Sequence, residues 1–564
     1  MTDMRRTLLW VIFIMSLVLL YDSWNKQHGH PSMFGGAVPA ATSSAAPPAT
    51  QAAVPGATGG TPGSANTIVT AGGTATGTAA GASAGTAPAD QQVTITTDVV
   101  KATFDSRGGT LVRLQLLGYR ESADAREDVV LFDDTPQHHY VAQTGLVTTQ
   151  PGVALPNHLT PMVIDPGPRT LAPGETSLTL RFQSQPVDGR QLIKTYTFRR
   201  GAYTIDVKNE FVNGGSTPVS PQLYLQLARD GKPADAGSHF YSTFTGPAMY
   251  TEAGHYQKIP FKDVATESHE KSADNGWVAM VQHYFASAWL LPTPLPREFR
   301  TAQTGPDEYT IAMVVPMGVV APGARKSIDA TLFAGPQKED MLAALAPGLE
   351  RVKDYGWLYV LAKPLFWLLT RLHGLLGNWG WAIVALVVCL KAAFFWLNAS
   401  AYRSMAKMKA VAPKVAELKE RYKDKPQEMQ QQMMRIYREE KVNPLGGCLP
   451  IFVQMPFFIS LYWVLLSSVE MRGAPWIGWI HDLSIADPYF ILPVLMMASS
   501  IAQVALNPKP PDPVQAKMMW IMPVAFGFMF FFFPAGLVLY WLTNNLLSIA
   551  QQWVINKRMG VVGK

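Results

Sequence analysis

Lys391 is the one ionised side chain in a long apolar stretch. From Leu372 to Tyr402 no other Asp, Glu, Lys or Arg occurs, and Trp, Phe, Leu, Val and Ala dominate. A full charge at membrane depth costs ~2.5–3.5 kcal/mol on an insertion scale, so it normally faces a polar cavity and marks a function. The alternative is a lysine near the end of a span that reaches its ammonium to the headgroups. Further apolar runs carry Asn398, Gln454, Ser499, Ser500, Gln503, Asn507, Thr543, Asn544, Ser548 and Gln551. Ser500, Gln503 and Asn507 are three and four apart and share one helical face. Met518, Met519, Met522 and Phe526 give the neighbouring run an apolar face instead.

Membrane spans must hold these residues. Trp379 to Leu397 reads as the second span, after an amino-terminal one. Val442 to Val469 and Pro488 to Pro508 lack Asp, Glu, Lys and Arg, and each is long enough to cross once. Met518 to Asn556 is also free of them but, at 39 residues, too long for one crossing. Pro534-Ala535-Gly536 divides it into two spans joined by a tight hairpin. The sum is an α-helical polytopic bundle of six spans, five of them forming a core over 375–556. The loop 399–441 carries 11 Lys/Arg against 6 Asp/Glu, which accounts for most of the net charge of +6. Positive-inside bias puts it in the cytoplasm with Lys509, Lys517 and the tail 557–564, so both termini are cytoplasmic. Glu470, Asp482 and Asp487 against Arg472 put the loop between spans three and four outside. Spans two, four and six then run from outside to inside, with their polar residues in the cytoplasmic portions. That predicts a polar cavity open to the cytoplasm and closed by apolar packing above. Polar side chains also tie transmembrane helices together, but this explains a single residue better than a one-sided distribution over three helices.

In the cytoplasmic loop, Met405, Met408, Ala412, Val415 and Tyr422 trace one stripe, and Met429, Met433, Ile436 and Glu440 another. Asp424-Lys425-Pro426 makes the turn, with Pro426 suited to a first helical turn. The expectation is an antiparallel helical hairpin. Its basic exterior suits anionic lipid, and methionine adapts to varied apolar partners.

The remaining chain is extramembranous. Residues 1–30 hold Met4-Arg5-Arg6 and the apolar run Leu8 to Tyr21, an uncleaved signal anchor by this reading, with cleavage near Ala37 to Ala40 as the alternative. Residues 31–90 are an Ala/Gly/Pro/Thr tether too poor in apolar side chains to offset chain entropy. Over 91–337, alternations such as Leu178/Leu180/Phe182, Tyr203/Ile205/Val207 and Leu223/Leu225/Leu227, with turns such as Asn213-Gly214-Gly215, predict an all-β sandwich. Over 338–374, Met341, Leu345, Leu349 and Val352 form a stripe. It fits an amphipathic helix on the membrane surface or a helix capping the sandwich.

Enzymatic signatures are missing. Gly81-Ala82-Ser83-Ala84-Gly85 matches a hydrolase elbow but lies in the tether, without the strand–turn–helix the motif requires. No phosphate loop occurs, and His138, His139, His283, His373 and His481 lack metal spacing. Cys389 and Cys448 support neither a disulfide framework nor a zinc cluster. No catalytic residue, metal or cofactor is expected, nor sequence-specific nucleic-acid binding.

Asn443-Pro444-Leu445-Gly446-Gly447-Cys448-Leu449-Pro450, followed by Gln454-Met455-Pro456, resembles the YidC family of membrane protein insertases. Ser404-Met405-Ala406-Lys407-Met408 and Phe533-Pro534-Ala535-Gly536-Leu537-Val538-Leu539-Tyr540 agree with it. The resemblance covers Tyr355 to Asn556, and the preceding anchor, tether and β domain look like the Gram-negative form. It implies inner-membrane residence and a periplasmic β-supersandwich similar to sugar-epimerase folds. The implied partners are nascent integral membrane proteins, the Sec translocon (SecYEG), SecDF, translating ribosomes and membrane lipids. The family usually has arginine where this chain has Lys391, so the charge is kept without the planar fork. Tyr540 and Trp541 match positions that contact client helices. The short tail implies a missing or reduced ribosome-binding extension.

The resulting expectation is an insertase and membrane chaperone, acting with or without the translocon. Lys391 is the groove charge, and Gln454, Ser500, Gln503, Asn544 and Ser548 form the polar groove. Tyr540, Trp541, Met522 and Phe526 contact clients, and Met405, Met408, Met429 and Met433 line the hairpin. The alternatives are a secondary transporter with Lys391 as substrate site, disfavoured by the lack of an inverted repeat, and a carbohydrate-binding or carbohydrate-modifying β domain.

Overall fold

The computed structural model describes residues 91–121, 126–232, 243–266, 269–422, 425–440, 449–507 and 513–558. The predicted anchor, the tether with its Gly81–Gly85 motif, Asp424, Asn443 to Cys448, Lys509 and the last six residues lie outside that set.

Residues 92–336 form two nine-stranded antiparallel sheets. One takes, edge to edge, Gln92–Thr96, Val100–Asp105, Thr110–Arg120, Asp128–Asp134, His139–Val147, Gln222–Asp230, Glu308–Pro316, Arg297–Gly305 and Glu270–Ala273. The other takes His255–Lys258, Gly246–Thr251, Trp277–Val281, Phe285–Leu290, Arg325–Pro336, Thr204–Asn213, Arg190–Arg199, Ser177–Ser184 and Met162–Ile164. A short helix, α1 (Phe261–Thr266), interrupts the strands. In Ser177–Ser184 the alternation holds: Leu178, Leu180 and Phe182 are buried and the residues between them face outward or are partly covered, apart from Ser184. Gln222–Asp230 differs, because both of its faces are covered. The loop carrying His158 lies over its second face, with His158 Nδ1 2.6 Å from the Tyr224 hydroxyl. A core of Phe104, Phe132, Phe182, Phe198, Phe211 and Trp289 fills the sandwich. Polar ties join the sheets as well. The fully buried Lys194 donates to Gly108 O at 2.6 Å and Thr144 O at 2.7 Å, and burial pushes its ammonium down to about 7.

The stripe after the sandwich meets the sheet, so the capping arrangement holds over that part of 338–374. Leu342 of α2 (Glu339–Leu345), with Leu349 and Val352, packs on Trp277, Ala279, Ala288 and Phe333. The next helix is α3 (Tyr359–Leu376). It buries Ala362, Leu365, Phe366 and Leu369 and exposes Val360, Trp367 and Leu375.

Among the described residues seven helices of about four turns or more follow. They are α4 (Trp379–Ala393), α5 (Phe395–Arg421), α6 (Pro426–Glu439), α7 (Leu449–Ser467), α8 (Ile491–Leu506), α9 (Pro513–Met529) and α10 (Ala535–Arg558), the first two separated by a sharp bend. Among the described residues no single helix is long and apolar enough to cross a membrane. Trp379–Ala393 and Phe395–Val411 meet that test only together, bent by 69°. The run predicted as one span to Leu397 therefore breaks at Phe394, and the hairpin's first helix starts at Phe395 rather than 399. No Pro or Gly marks this break, which is why hydropathy runs through it. The predicted break at Pro534 is present, but α9 and α10 both pack on α8. Asp487 caps α8, its Oδ2 accepting from the Leu492 N–H at 2.7 Å. In the hairpin, Met408, Val411 and Val415 of α5 meet Met433, Ile436 and Tyr437 of α6. Met405 and Met429 are half-buried outside that cluster.

Candidate functional site

Four helices bring polar residues to one small, partly open cleft. Val387, Leu390 and Lys391 come from α4, Phe394 from the bend, and Asn398 from the start of α5. Gln454, Phe457 and Phe458 of α7 form the facing wall, and Tyr540 and Asn544 of α10 complete the lining. The bend at Phe394 makes this possible, because it turns Asn398 toward α7. There Gln454 Nε2 donates to Asn398 Oδ1 at 2.6 Å, with both side chains buried.

Lys391 is half-buried, and its Nζ donates to Ser548 Oγ at 2.7 Å. The Ser548 hydroxyl in turn donates to Asn544 O at 2.7 Å, one turn back on the same helix. A lysine beside a serine suggests a nucleophile and its base. Here the lysine is the donor and the hydroxyl proton is committed to a carbonyl, so no base is poised to take it. Among the described residues Lys391 forms no ion pair, which leaves the ammonium available to an incoming anionic group. The cleft can solvate a polar segment and hold an acidic one, and the apolar walls of Phe394, Phe457 and Phe458 keep its dielectric low.

The predicted polar residues divide between two faces of α10. Tyr540, Asn544 and Ser548, four apart, face the cleft and Lys391. Ser500 lies on the other side, in the seam between α8 and α10, where Asn545 Nδ2 donates to Ser500 Oγ at 2.8 Å and to Ser499 Oγ at 3.2 Å. Further along that seam, Gln552 Nε2 donates to Asn507 Oδ1 at 3.0 Å. Gln503 is half-buried and does not line the cleft. The structure thus places Ser500 among helix-tying residues rather than in the groove. Asn545 and Gln552 were missed by the sequence reading. Their seven-residue spacing on one helical face was the available signal.

The four client-contact candidates also separate. Tyr540 is 1% exposed and its hydroxyl has no hydrogen-bond partner among the described residues. Trp541 sits between Phe458 of α7 and Phe530 just past α9, with ring centroids 5.9 and 5.8 Å away. Met522 and Phe526 are exposed along α9. An aromatic and methionine-bearing surface therefore runs from the cleft wall past Trp541 to α9.

Two family models match the chain. One, described as the YidC periplasmic domain, covers residues 92–368, and the other, the 60Kd inner membrane protein, covers residues 371–561. The membrane protein insertase YidC of Cupriavidus taiwanensis is 54% identical over 560 residues, covering 99% of this chain and 98% of that protein. The insertase of the same name from Ralstonia nicotianae is 52% identical over 563 residues, with 99% and 98% covered. A crystal structure of an active YidC insertase aligns with 82% of this chain and 92% of its own at 18% identity and a TM-score of 0.38. The sequence matches carry the assignment: the chain belongs to the YidC family of membrane protein insertases.

Proposed function

We propose that this protein inserts nascent integral membrane proteins into the bacterial inner membrane and assists their folding, using the Lys391 cleft as the entry for a client's polar flank. The observation that carries this reading is an ammonium without an ion-pair partner among the described residues, held by Ser548 between apolar walls. A short acidic or polar flank enters from the cytoplasm, where the polar lining lowers its desolvation cost. The adjoining apolar segment moves along Phe458, Trp541 and the exposed face of α9 into lipid. For an acidic flank moving outward, the membrane potential supplies ~2.3 kcal/mol per charge per 100 mV. No nucleotide, metal or chemical step enters this cycle, and the protein acts as a chaperone rather than an enzyme.

In this reading the chain crosses the membrane six times. Both termini and the α5–α6 hairpin are cytoplasmic, and the β domain is periplasmic. The hairpin, with its Met-bearing cluster and basic surface, captures clients delivered by a translating ribosome. SecYEG and SecDF are partners for clients that need the translocon. The test is reconstitution of the purified protein alone into liposomes, scoring protease protection of a short client's flank. Protection without other components supports the reading. Failure of every short client to insert, at verified orientation and abundance, refutes it.

A further inference from the structure

Among the described residues, two buried donors on the lining of the cleft lack hydrogen-bond partners. One is the Tyr540 hydroxyl. Its ring is fixed by packing, edge-on to Phe458 and Trp541 with centroids 6.1 and 5.8 Å away, so the hydroxyl is held in place without a polar contact. The other is Asn398 Nδ2. The Oδ1 of that side chain accepts from Gln454 Nε2 at 2.6 Å, and the amide nitrogen is left over. Lys391 lines the same cleft and has N–H groups beyond the one it gives Ser548.

Native proteins leave few buried polar atoms unpaired, because each forfeits the hydrogen bonds it makes in water. Two such donors on different elements of one cleft, α5 and α10, call for a ligand that supplies acceptors. Lys391 suits a carboxylate, whereas a phenol and a primary amide suit a neutral acceptor. The neutral acceptor present at every residue of a client is its backbone carbonyl. A helix satisfies its own carbonyls, but an extended flank in an apolar setting cannot. Ser548, which holds the ammonium, stands two helical turns past Tyr540, about 12 Å along α10. An extended chain rises about 3.3 Å per residue, so a carboxylate at Lys391 and a carbonyl at Tyr540 would lie about three or four residues apart.

We propose that Tyr540 and Asn398 are specificity-determining residues of the cleft, which donate to backbone carbonyls of an extended client flank while Lys391 holds its carboxylate. Recognition of the main chain does not depend on side chains, so one cleft accepts flanks of unrelated sequence. It disfavours a flank already folded as a helix, whose carbonyls are taken. This rests on the cleft being the client's route, and the experiment separates the two ideas.

The probe is a synthetic single-span client whose translocated amino-terminal flank carries one aspartate. The full-length protein inserts it in proteoliposomes, and protease protection scores the flank. Replacing one amide bond by an ester weakens that carbonyl as an acceptor and leaves every side chain in place. An ester about three or four residues ahead of the aspartate, toward the amino terminus, should slow insertion ~3- to 10-fold, and one behind it far less. Tyr540→Phe removes only the unpartnered hydroxyl. It should unfold at no lower temperature, insert the all-amide client ~3- to 10-fold more slowly, and cancel the effect of the forward ester. Normal insertion by Tyr540→Phe, the result expected of a hydroxyl that only fills space, overturns the proposal. So does an ester scan with the unmodified protein that shows no dependence on position, and this scan decides alone should Tyr540→Phe fail to fold. Asn398→Ala with Gln454→Ala leaves neither amide of that pair behind and should slow the same client; normal insertion overturns the role of Asn398. Lys391→Ala tells the two ideas apart. If it slows this client while the ester scan is flat, the route stands and backbone recognition falls. If it inserts the client normally, the cleft falls as the route and the proposal with it.

Discussion

Replacing Lys391 separates its charge from its bulk, and the structure sets the size of the effect. A client carboxylate arriving ~4 Å from the ammonium would gain about 4 kcal/mol at an effective dielectric near 20. Part of that is offset, because the ammonium already donates to Ser548 Oγ at 2.7 Å and the carboxylate leaves water. A charge-assisted hydrogen bond nets ~1.5–3 kcal/mol, or about 10- to 150-fold in rate if flank entry limits insertion. Lys391→Ala should therefore slow a client with an acidic flank by about that factor, and an otherwise identical client with an apolar flank far less. Lys391→Arg keeps the charge and should retain activity, whereas Lys391→Glu should fail on the acidic client. The assay is protease protection of the two clients at matched variant abundance. If the ammonium only reaches for headgroups, its removal relieves a cost and the Ala variant is harmless. Equal, undiminished activity of that variant on both clients refutes the mechanism.

Three further outcomes follow from the extramembranous parts. Burial opposes the charge on His139, but the hydrogen bond to Asp134 and the nearby Glu308 carboxylate, 3.4 Å from Nε2, win and raise it from 6.5 to about 9. The contribution is therefore fully present below pH 6.5 and lost as pH rises through about 9, with a ceiling of about 3 kcal/mol. The Tm advantage over His139→Gln should shrink across that window, and a pH-independent difference would contradict this assignment. Phe104→Ala, which removes a fully buried ring packed on Phe182, Tyr196 and Phe198, should cost ~3–5 kcal/mol by denaturant unfolding of the β domain. A loss under 1 kcal/mol would mean the core collapses around the gap. Val415→Asp places a charge in the small α5–α6 cluster and should impair client capture while leaving the bundle assembled; normal insertion by the assembled variant would remove the hairpin from delivery.

Much of the fold was legible because burial on one side writes a period into the sequence. Leu178, Leu180 and Phe182 announced their strand and its inward face, and Pro426 opens α6 as its fixed φ suggests. The reading weakened wherever a contact was long-range. Leu349 and Val352 make the same stripe whether a membrane or a sheet covers it, and only the fold shows the sheet. Asn544 and Asn545 are adjacent and chemically identical, yet one lines the cleft and the other ties α10 to α8. Nothing local at Phe394 signals a bend, since its consequence is the distant Asn398–Gln454 contact. The loop after α7 is the extreme case. Arg472 looked like one charge in an outer loop, and its partners Arg120, Tyr284 and Phe285 lie 187 to 352 residues earlier.

The central claim is that a client passes through the cleft and leaves along α7 and α9. Photocrosslinking groups at Phe457, Phe458 and Met522, with outward-facing Val494 and Leu495 of α8 as controls, test it on a ribosome-stalled membrane protein. Crosslinks should form first at 457 and 458 with the polar flank, then at 522 with the apolar segment as the chain lengthens, and stay at background from α8. Equal crosslinking from α8, or none from 457 and 458 at any chain length, would contradict the account.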